Sequence, residues 1–403
     1  MEQKRLLLLG GGHAEIPLIQ AAQELGYFVI TTGNAREGLG HPYADKNVFA
    51  DFSDKNAMLE LARAEGVSAV CSGCNDFALL STVYVCEKLG LPGHDSYETS
   101  LQIHHKDKYR ALAERLEIPT PRARVVRNLD EFKSVIETLN FPLIVKPVDL
   151  TGGKGIHRAN NVDEALAAYA DAVARTREDH VVVEEFVVGT NHGFSCFLKG
   201  GKVAFYFADN EQYYLNKYMV SGANTPSSTS AGGLQLLVEY SERIASNLNL
   251  VDGILHIQYI EKADGTPYII EICRRPPGDL YIKFVKYATG VDYPLMLVKA
   301  ECGLSTDVIA SVATQSKQAL HNVPKPFLRH CVMTNRTGVV AGVDFADEIQ
   351  QNIVEKFMWY KVGEEVADPM YYKAGIVFMQ FDSVEEMTEK TAKMSEYIKV
   401  RFK

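Results

Sequence analysis

His256-Ile257-Gln258-Tyr259-Ile260-Glu261-Lys262-Ala263-Asp264-Gly265-Thr266-Pro267-Tyr268-Ile269-Ile270-Glu271-Ile272-Cys273-Arg274-Arg275 reads as two alternating apolar runs that meet at Asp264-Gly265. An Asp-Gly dipeptide favours a two-residue hairpin turn, because both central positions adopt positive φ. With Ala263 facing Thr266 across that turn, counting back pairs Gln258 with Glu271 and His256 with Cys273 on one face, and Arg275 follows on the same parity. Directly opposed side chains have Cβ atoms roughly 4.5–5.5 Å apart. The Gln258 amide oxygen and the Glu271 carboxylate are thus close enough to share one hard cation. Magnesium completes its shell with water and substrate phosphates, so a set of one or two protein oxygens suits a nucleotide-bound ion. The other reading is a polar cross-strand pair on a wetted sheet face.

Upstream, Phe141-Pro142-Leu143-Ile144-Val145-Lys146-Pro147 runs into Asp149-Leu150-Thr151-Gly152-Gly153-Lys154-Gly155. A lysine inside an apolar strand is costly unless an anion meets it. Glycines after the strand let backbone N–H groups approach phosphate oxygens, so Lys146 and Lys154 would flank a polyphosphate. The spacing is not that of a Walker loop. Val181 to Gly189 is a second apolar strand with Glu184 and Glu185 in its middle, and alternation turns one of them inward.

The rest of the chain is organised as alternating strands and helices. Residues 5–9 are an apolar run followed by Gly10-Gly11-Gly12, a helical pattern from Ala14 and a strand at Tyr27 to Thr31. The alternation continues through Ala69 to Cys71 and predicts a parallel sheet covered by helices, closing near residue 95. Residues 194–209 read as a hairpin turning at Gly200-Gly201, and the polar run Asn210 to Gly233 as a long loop. After residue 320 a mixed segment begins, with strands near His330 and Gly375 and a final helix.

The chain has 403 residues, of which 46% are hydrophobic and 23% charged, which describes a multidomain globular protein. A formal charge of −9 argues against a sequence-independent hold on nucleic acid. No apolar segment approaches the roughly 20 residues that cross a bilayer, so no membrane partner is expected. Seven scattered cysteines fit reduced thiols and a cytoplasmic location better than a disulfide framework, and Cys71-Ser72-Gly73-Cys74 lacks a second pair for zinc.

The order of these signals resembles the ATP-grasp superfamily of ADP-forming ligases over nearly the whole chain. The resemblance rests on Lys108 in Lys106-Asp107-Lys108, Lys146, the loop Thr151 to Gly155, the strand Glu184 to Val187, and Glu271, Cys273 and Arg275 in place of Glu-x-Asn-x-Arg. It implies α/β and α+β architecture: an N-terminal parallel α/β domain over 1–99, an ATP-grasp domain over 100–320 with a small lid at 120–190, and a C-terminal mixed segment over 321–403. It implies that Lys108, Lys146 and the glycine loop (Thr151, Gly152, Gly153, Lys154, Gly155) contact the ATP phosphates. It also implies that Glu185, Phe186 and Val187 line the adenine, with their backbone bonding it, that Glu184 holds its amino group or the ribose, and that Asn191 or His192 serves the ribose. Gln258 and Glu271 would ligate magnesium, or manganese in its place. Cys273 stands where an asparagine usually serves a second metal, and sulfur is a poor partner for a hard cation.

In the same comparison Lys146 and Arg275 become catalytic, since a guanidinium fork braces carboxylate or phosphoryl groups bidentately. His13, Glu15, Arg274 and Arg275 become substrate contacts. The implied function is carboxylate–amine ligation through an acyl phosphate, on an amino acid, peptide or sugar carboxylate, by a homodimer. Three alternatives stay open: activation of bicarbonate or formate by the same fold, an ATP-binding regulatory protein without turnover, and a dehydrogenase suggested by the glycine triplet, which lacks the third glycine of the dinucleotide fingerprint.

Overall fold

A computed structural model describes residues 3–150, 153–307 and 324–403. Four short apolar segments build the first sheet: β1 (Arg5–Leu9), β2 (Phe28–Thr32), β3 (Lys46–Asn47) and β4 (Ala69–Ser72). They lie in the order β3-β2-β1-β4, all parallel, with Leu6 to Leu9 fully buried between covering helices. A run apolar on both faces demands such two-sided cover.

A second, four-stranded sheet follows: β5 (Ala123–Val126), β6 (Leu143–Pro147), β7 (His157–Ala159) and β8 (Val181–Glu185), ordered β5-β8-β6-β7. One face packs on helices Leu129–Ile136 and Val162–Arg175 through Phe132, Val145, Tyr169 and Val183. The other carries Lys146 and Glu184.

The largest sheet has eight strands. It takes in β9 (Thr190–Lys199), β10 (Lys202–Tyr213), β11 (Val220–Thr225), β12 (Gly253–Glu261), β13 (Pro267–Cys273) and β14 (Phe327–Val332). Three further strands of the sequence after residue 324 are β15 (Gly338–Phe345), β16 (Ile353–Met358) and β17 (Glu365–Val366), with β18 (Gly375–Gln380) and β19 (Ile398–Phe402) beyond them. The order is β13-β12-β9-β10-β11-β14-β18-β16, while β17-β15-β19 form a small sheet of their own. The C-terminal segment therefore extends the large sheet as well as adding structure beside it.

One face of the large sheet is sealed by helices Lys106–Arg115 and Ala231–Leu248, around Phe194, Leu255, Ile257, Ile269 and Ile272. The opposite face carries polar side chains along its middle. The predicted loop Asn210 to Gly233 is corrected here: Asn210 to Tyr213 belong to β10, Val220 to Thr225 form β11, and a helix begins at Ala231. Its polarity reflects a polar sheet face rather than exposed chain. Residues 97–115 form two helices, Tyr97–His104 and Lys106–Arg115, broken where His105 adopts extended backbone.

Candidate active site

The hairpin that organises the site has the predicted pairs Gln258–Glu271 and His256–Cys273, but reaches them by another route. The Gly265 N–H donates to the Lys262 carbonyl and the Lys262 N–H to the Thr266 carbonyl, so the turn is one residue longer than a two-residue loop. Gly265, at φ +81°, takes the left-handed position. The strands then run Glu261–Pro267, Ile260–Tyr268 and Tyr259–Ile269 before a bulge at Ile270 restores the outer register. The bulge lets Ile269 and Ile272 both enter the helix-covered core while Glu271 faces the open side.

Lys106 meets Glu271 there. Its Nζ donates to the Leu150 carbonyl at 2.9 Å and to Glu271 Oε1 at 3.3 Å. Lys108, the residue expected on the phosphates, is two positions further along the same helix, about 200° around its axis. It is half-buried and makes no hydrogen bond or ion pair among the described residues. Lys106, rather than Lys108, is the buried cation that stands between Leu150 and Glu271.

On the facing small sheet Lys146 and Glu184 are both buried, with Nζ 2.5 Å from Glu184 Oε1. Glu184 Oε2 accepts from Nε and Nη2 of Arg110 at 3.1 and 3.0 Å. Burial pulls the Lys146 ammonium down to about 8, against the pull of Glu184. Burial opposes ionisation of Glu184 too, but Arg110 and Lys146 overcome it and hold the carboxyl below its usual range. Glu184 is thus committed to two cations, which corrects its expected role on the adenine amino group or ribose. The neighbouring main chain suits a base better: the Phe186 N–H donates to the Pro142 carbonyl, whereas no partner reaches the Val187 N–H among the described residues. Glu185 accepts from Asn140, and Arg158 stacks 4.3 Å from the Phe186 ring centroid.

Thr151 and Gly152 lie outside the described residues. Gly153 packs so tightly on Tyr218, between β10 and β11, that a Cβ would sit 2.7 Å from its carbonyl oxygen. Gly155 also has positive φ, and Lys154 is exposed. His192 is buried in the helix-covered side, its ring nitrogens bonded to Thr190 Oγ1 at 2.7 Å and Ser227 Oγ at 3.2 Å, and its ring stacked on Tyr259. It has no free nitrogen for a ribose, which corrects that expectation. Asn191 is exposed.

Arg275 forms a bidentate pair with Asp76, Nε to Oδ1 at 2.8 Å and Nη2 to Oδ2 at 3.1 Å, and His104 Nδ1 shares that carboxylate at 2.8 Å. Asp76 opens the helix after β4, so the end of the first sheet reaches Arg275 through it. Arg274 is corrected to a structural residue: buried, it donates to Asp95 and to the carbonyls of Ile254 and Val251. Glu15 is likewise internal, accepting from the backbone of Gly12 at 2.8 Å and Cys74 at 2.9 Å and so tying together the loops after β1 and β4. His13 stacks on Trp359 and approaches Asp279 at 3.3 Å, and Asp279 also receives Lys373 at 2.5 Å. Arg329 donates to the Asp279 carbonyl.

Sequence reading missed Lys106, Arg329, Lys373 and Trp359. Arg329 carried the same signal as Lys146, a charged residue inside an apolar strand.

Gln258 and Glu271 supply oxygen donors on the open face, and Gln258 Oε1 makes no hydrogen bond among the described residues. They fit a hard divalent ion. Cys273 does not add to that set, since its thiol donates to the Arg275 carbonyl and burial pushes its pKa up to about 11. All seven cysteines are unpaired.

Residues 105–226 match the family model described as phosphoribosylglycinamide synthetase, ATP-grasp (A) domain. The structure is similar over its whole length to an L-amino acid ligase from Bacillus licheniformis, with a TM-score of 0.82, 19% identity and full coverage of both chains. It is similar to a phosphoribosylglycinamide synthetase from Anaerococcus prevotii, with a TM-score of 0.77, 22% identity and full coverage of both. A third similar structure is the biotin carboxylase domain of the Hydrogenobacter thermophilus 2-oxoglutarate carboxylase, a dimer in complex with MgADP and bicarbonate; TM-score 0.76, 15% identity, covering 100% of this chain and 91% of that one. The fold is that of the ATP-grasp ligases, enzymes that use ATP and magnesium and release ADP. Among the described residues no helix is long and apolar enough to cross a membrane.

Proposed function

We propose that the chain joins a carboxylate to an amine at the expense of ATP, through an acyl phosphate. The observation that carries this reading is the convergence of Lys106, Gln258, Glu271 and Arg275 on one side of the large sheet, with Lys146 on the small sheet beside it. Lys106 and Lys146 would hold the polyphosphate, and Gln258 and Glu271 the magnesium that neutralises it, which is the charge compensation phosphoryl transfer needs. Backbone at Glu185 and Val187 would receive the adenine. The substrate carboxylate would enter beside Arg275, attack the γ-phosphorus and leave as acyl phosphate, and the amine would then displace phosphate.

The small sheet, within the lid assigned to residues 120–190, would close over ATP and keep water from the acyl phosphate. The cluster of His13, Trp359, Asp279, Arg329 and Lys373 would contact one substrate. Arg329 and Lys373 outweigh the single Asp279 carboxylate and favour an anionic group such as that of an amino acid, peptide or sugar acid. The assignment of 1–99, 100–320 and 321–403 as successive domains, a homodimeric state and a cytoplasmic location belong to the same proposal.

The test is release of ADP and phosphate from MgATP across pooled amino acids, dipeptides and small carboxylates. Turnover that requires two pool members and is lost in Lys146→Ala is the expected result. A second reading, an ATP-binding protein without turnover, is favoured by the Cys273 thiol at a metal position and by the closed Arg275–Asp76 pair. Tight ATP binding with no ADP release in any mixture would select it.

A further inference from the structure

A ligand set of Gln258 and Glu271 brings a single negative charge to a divalent ion, and Cys273 adds none. A third carboxylate stands beside them on a strand that is not their neighbour. Gln258 Nε2 donates to Glu211 Oε1 at 2.7 Å, although β9 lies between β12 and β10. The contact is possible because of the residue in between. Register aligns Glu271, Gln258, Gly193 and Asp209 in one row across β13, β12, β9 and β10. A Cβ at Gly193 would meet Asp209 Oδ2 at 2.8 Å and Oδ1 at 3.1 Å, so only glycine leaves room there. Through this gap the acids of β10 lean across β9 toward Gln258. Glu211 lies two residues beyond Asp209 and shares its face.

This acidic ground has no ion-pair partner among the described residues: Arg329 acts on it only from beyond contact distance, and Glu211 Oε2 accepts from the Tyr213 hydroxyl. Asp209 is 1% exposed; Oδ2 accepts from the Tyr281 hydroxyl at 2.6 Å, while Oδ1 has no hydrogen-bond partner among the described residues. Neither acid has a lysine or arginine within ion-pair distance among the described residues, although Lys106 reaches Glu271. A buried carboxylate left without a cation is costly, and a divalent ion removes that cost.

We propose, building on the ligase reading above, that Glu211 is a metal ligand and that Glu211, Gln258 and Glu271 form a three-oxygen site for a divalent cation across β10, β12 and β13. The Gln258 amide turns its oxygen to the ion, an exchange of its two ends that needs no main-chain movement. Asp209 lies behind Glu211 over the Gly193 gap and adds negative charge. Glu211 thereby supplies from the middle of the sheet the charge that Cys273 does not supply from its edge.

The test is titration of the whole chain with Mn2+, read by electron paramagnetic resonance, with and without a non-hydrolysable ATP analogue and with no amine present. Glu211→Gln should weaken Mn2+ binding by about tenfold or more, and Glu211→Gln with Gln258→Glu should restore it. Unchanged Mn2+ affinity in Glu211→Gln with a native circular dichroism spectrum overturns the proposal. So does unchanged Mn2+ affinity combined with a raised KM for the amine, which would give the carboxylate to a substrate ammonium. Should Glu211→Gln not fold, Glu211→Asp takes its place; it retracts the charge by one methylene, weakened Mn2+ binding is again expected, and unchanged binding overturns. Glu211-dependent Mn2+ binding by a chain that binds no nucleotide would uphold the site and remove the ligase reading instead.

Discussion

Two buried carboxylate centres face the same cleft and are built in opposite ways. On the small sheet, Glu184 is surrounded by Lys146 and Arg110, and its charge is over-compensated. On the large sheet, burial first and Glu211 next push Asp209 up to about 7, while burial raises Glu211 against the hydrogen bonds of Tyr213 and Gln258. The first centre is complete without a ligand and has a cation to lend to phosphate. The second has no ion-pair partner among the described residues and, on the proposal above, takes a cation. Nucleotide binding of MgATP asks for one of each, an anion receptor and a metal receptor, and the difference in local charge balance tells the two apart.

The largest expected effect tests the completeness of the first centre. Glu184→Ala leaves Lys146 and Arg110 buried without a counter-charge and should cost about 3–5 kcal/mol of unfolding free energy, measured by chemical denaturation. A loss under about 1 kcal/mol, within the range of surface pairs, would break the contrast. Next, Lys146→Ala should lower turnover by about 100-fold or more, the scale of removing one preorganised charge partner, with the chain still folded; steady-state ADP release measures it. A chain that turns over normally without Lys146 has its anion receptor elsewhere.

Proton linkage sharpens the same contrast. Lys146 has a folded pKa of about 8, below its ordinary 10.5, so it loses its proton between those values in the apo protein and not in the unfolded chain. ATP needs the ammonium form. Nucleotide affinity should therefore fall as pH rises above 8, by up to about tenfold per unit, and Lys146→Arg should flatten that fall because a guanidinium stays charged. Isothermal titration at pH 7, 8 and 9 shows the slope, and equal slopes in the two proteins would assign the proton to another group. The smallest effect belongs to the second centre. Glu211→Gln keeps the shape and removes an uncompensated charge, so the metal-free protein should melt within about 1 kcal/mol of wild type or higher. A large loss of stability would show that Glu211 is already satisfied.

The parts of the fold carried by long periodic signals were legible. The parallel first sheet, the Gly200-Gly201 hairpin, the buried Lys146 and the face shared by Gln258 and Glu271 all follow from alternation and turn chemistry. What escaped depended on phase or context. Lys106 and Lys108 differ only in their position around a helix, and the break at His105 that sets this phase leaves no apolar period to read. Glu211 sat in a run of polar residues, which suggests exposed chain when nothing reveals that the run forms the floor of a cleft. Arg274 and Arg275 are adjacent, but one is directed to Asp95 and nearby main-chain carbonyls and the other to Asp76, the two aspartates lying 179 and 199 residues away in sequence. Glu15 was spent on a loop 59 residues away. Such assignments are tertiary, and local pattern does not contain them.

The hairpin turn and the bulge at Ile270 have a bearing on how this chain can change length. Each holds one residue more than a regular two-residue hairpin needs, and each extra residue stands outside the paired positions. Removing one of Ala263 to Gly265 leaves Lys262 facing Thr266 and every pair beyond it in place. Removing Ile270 makes Tyr259–Ile269 and Gln258–Glu271 successive pairs, with Glu271 still on the open side. The hairpin therefore has two places at which the chain can lose a residue without moving the carboxylate, one at its tip and one beside the site.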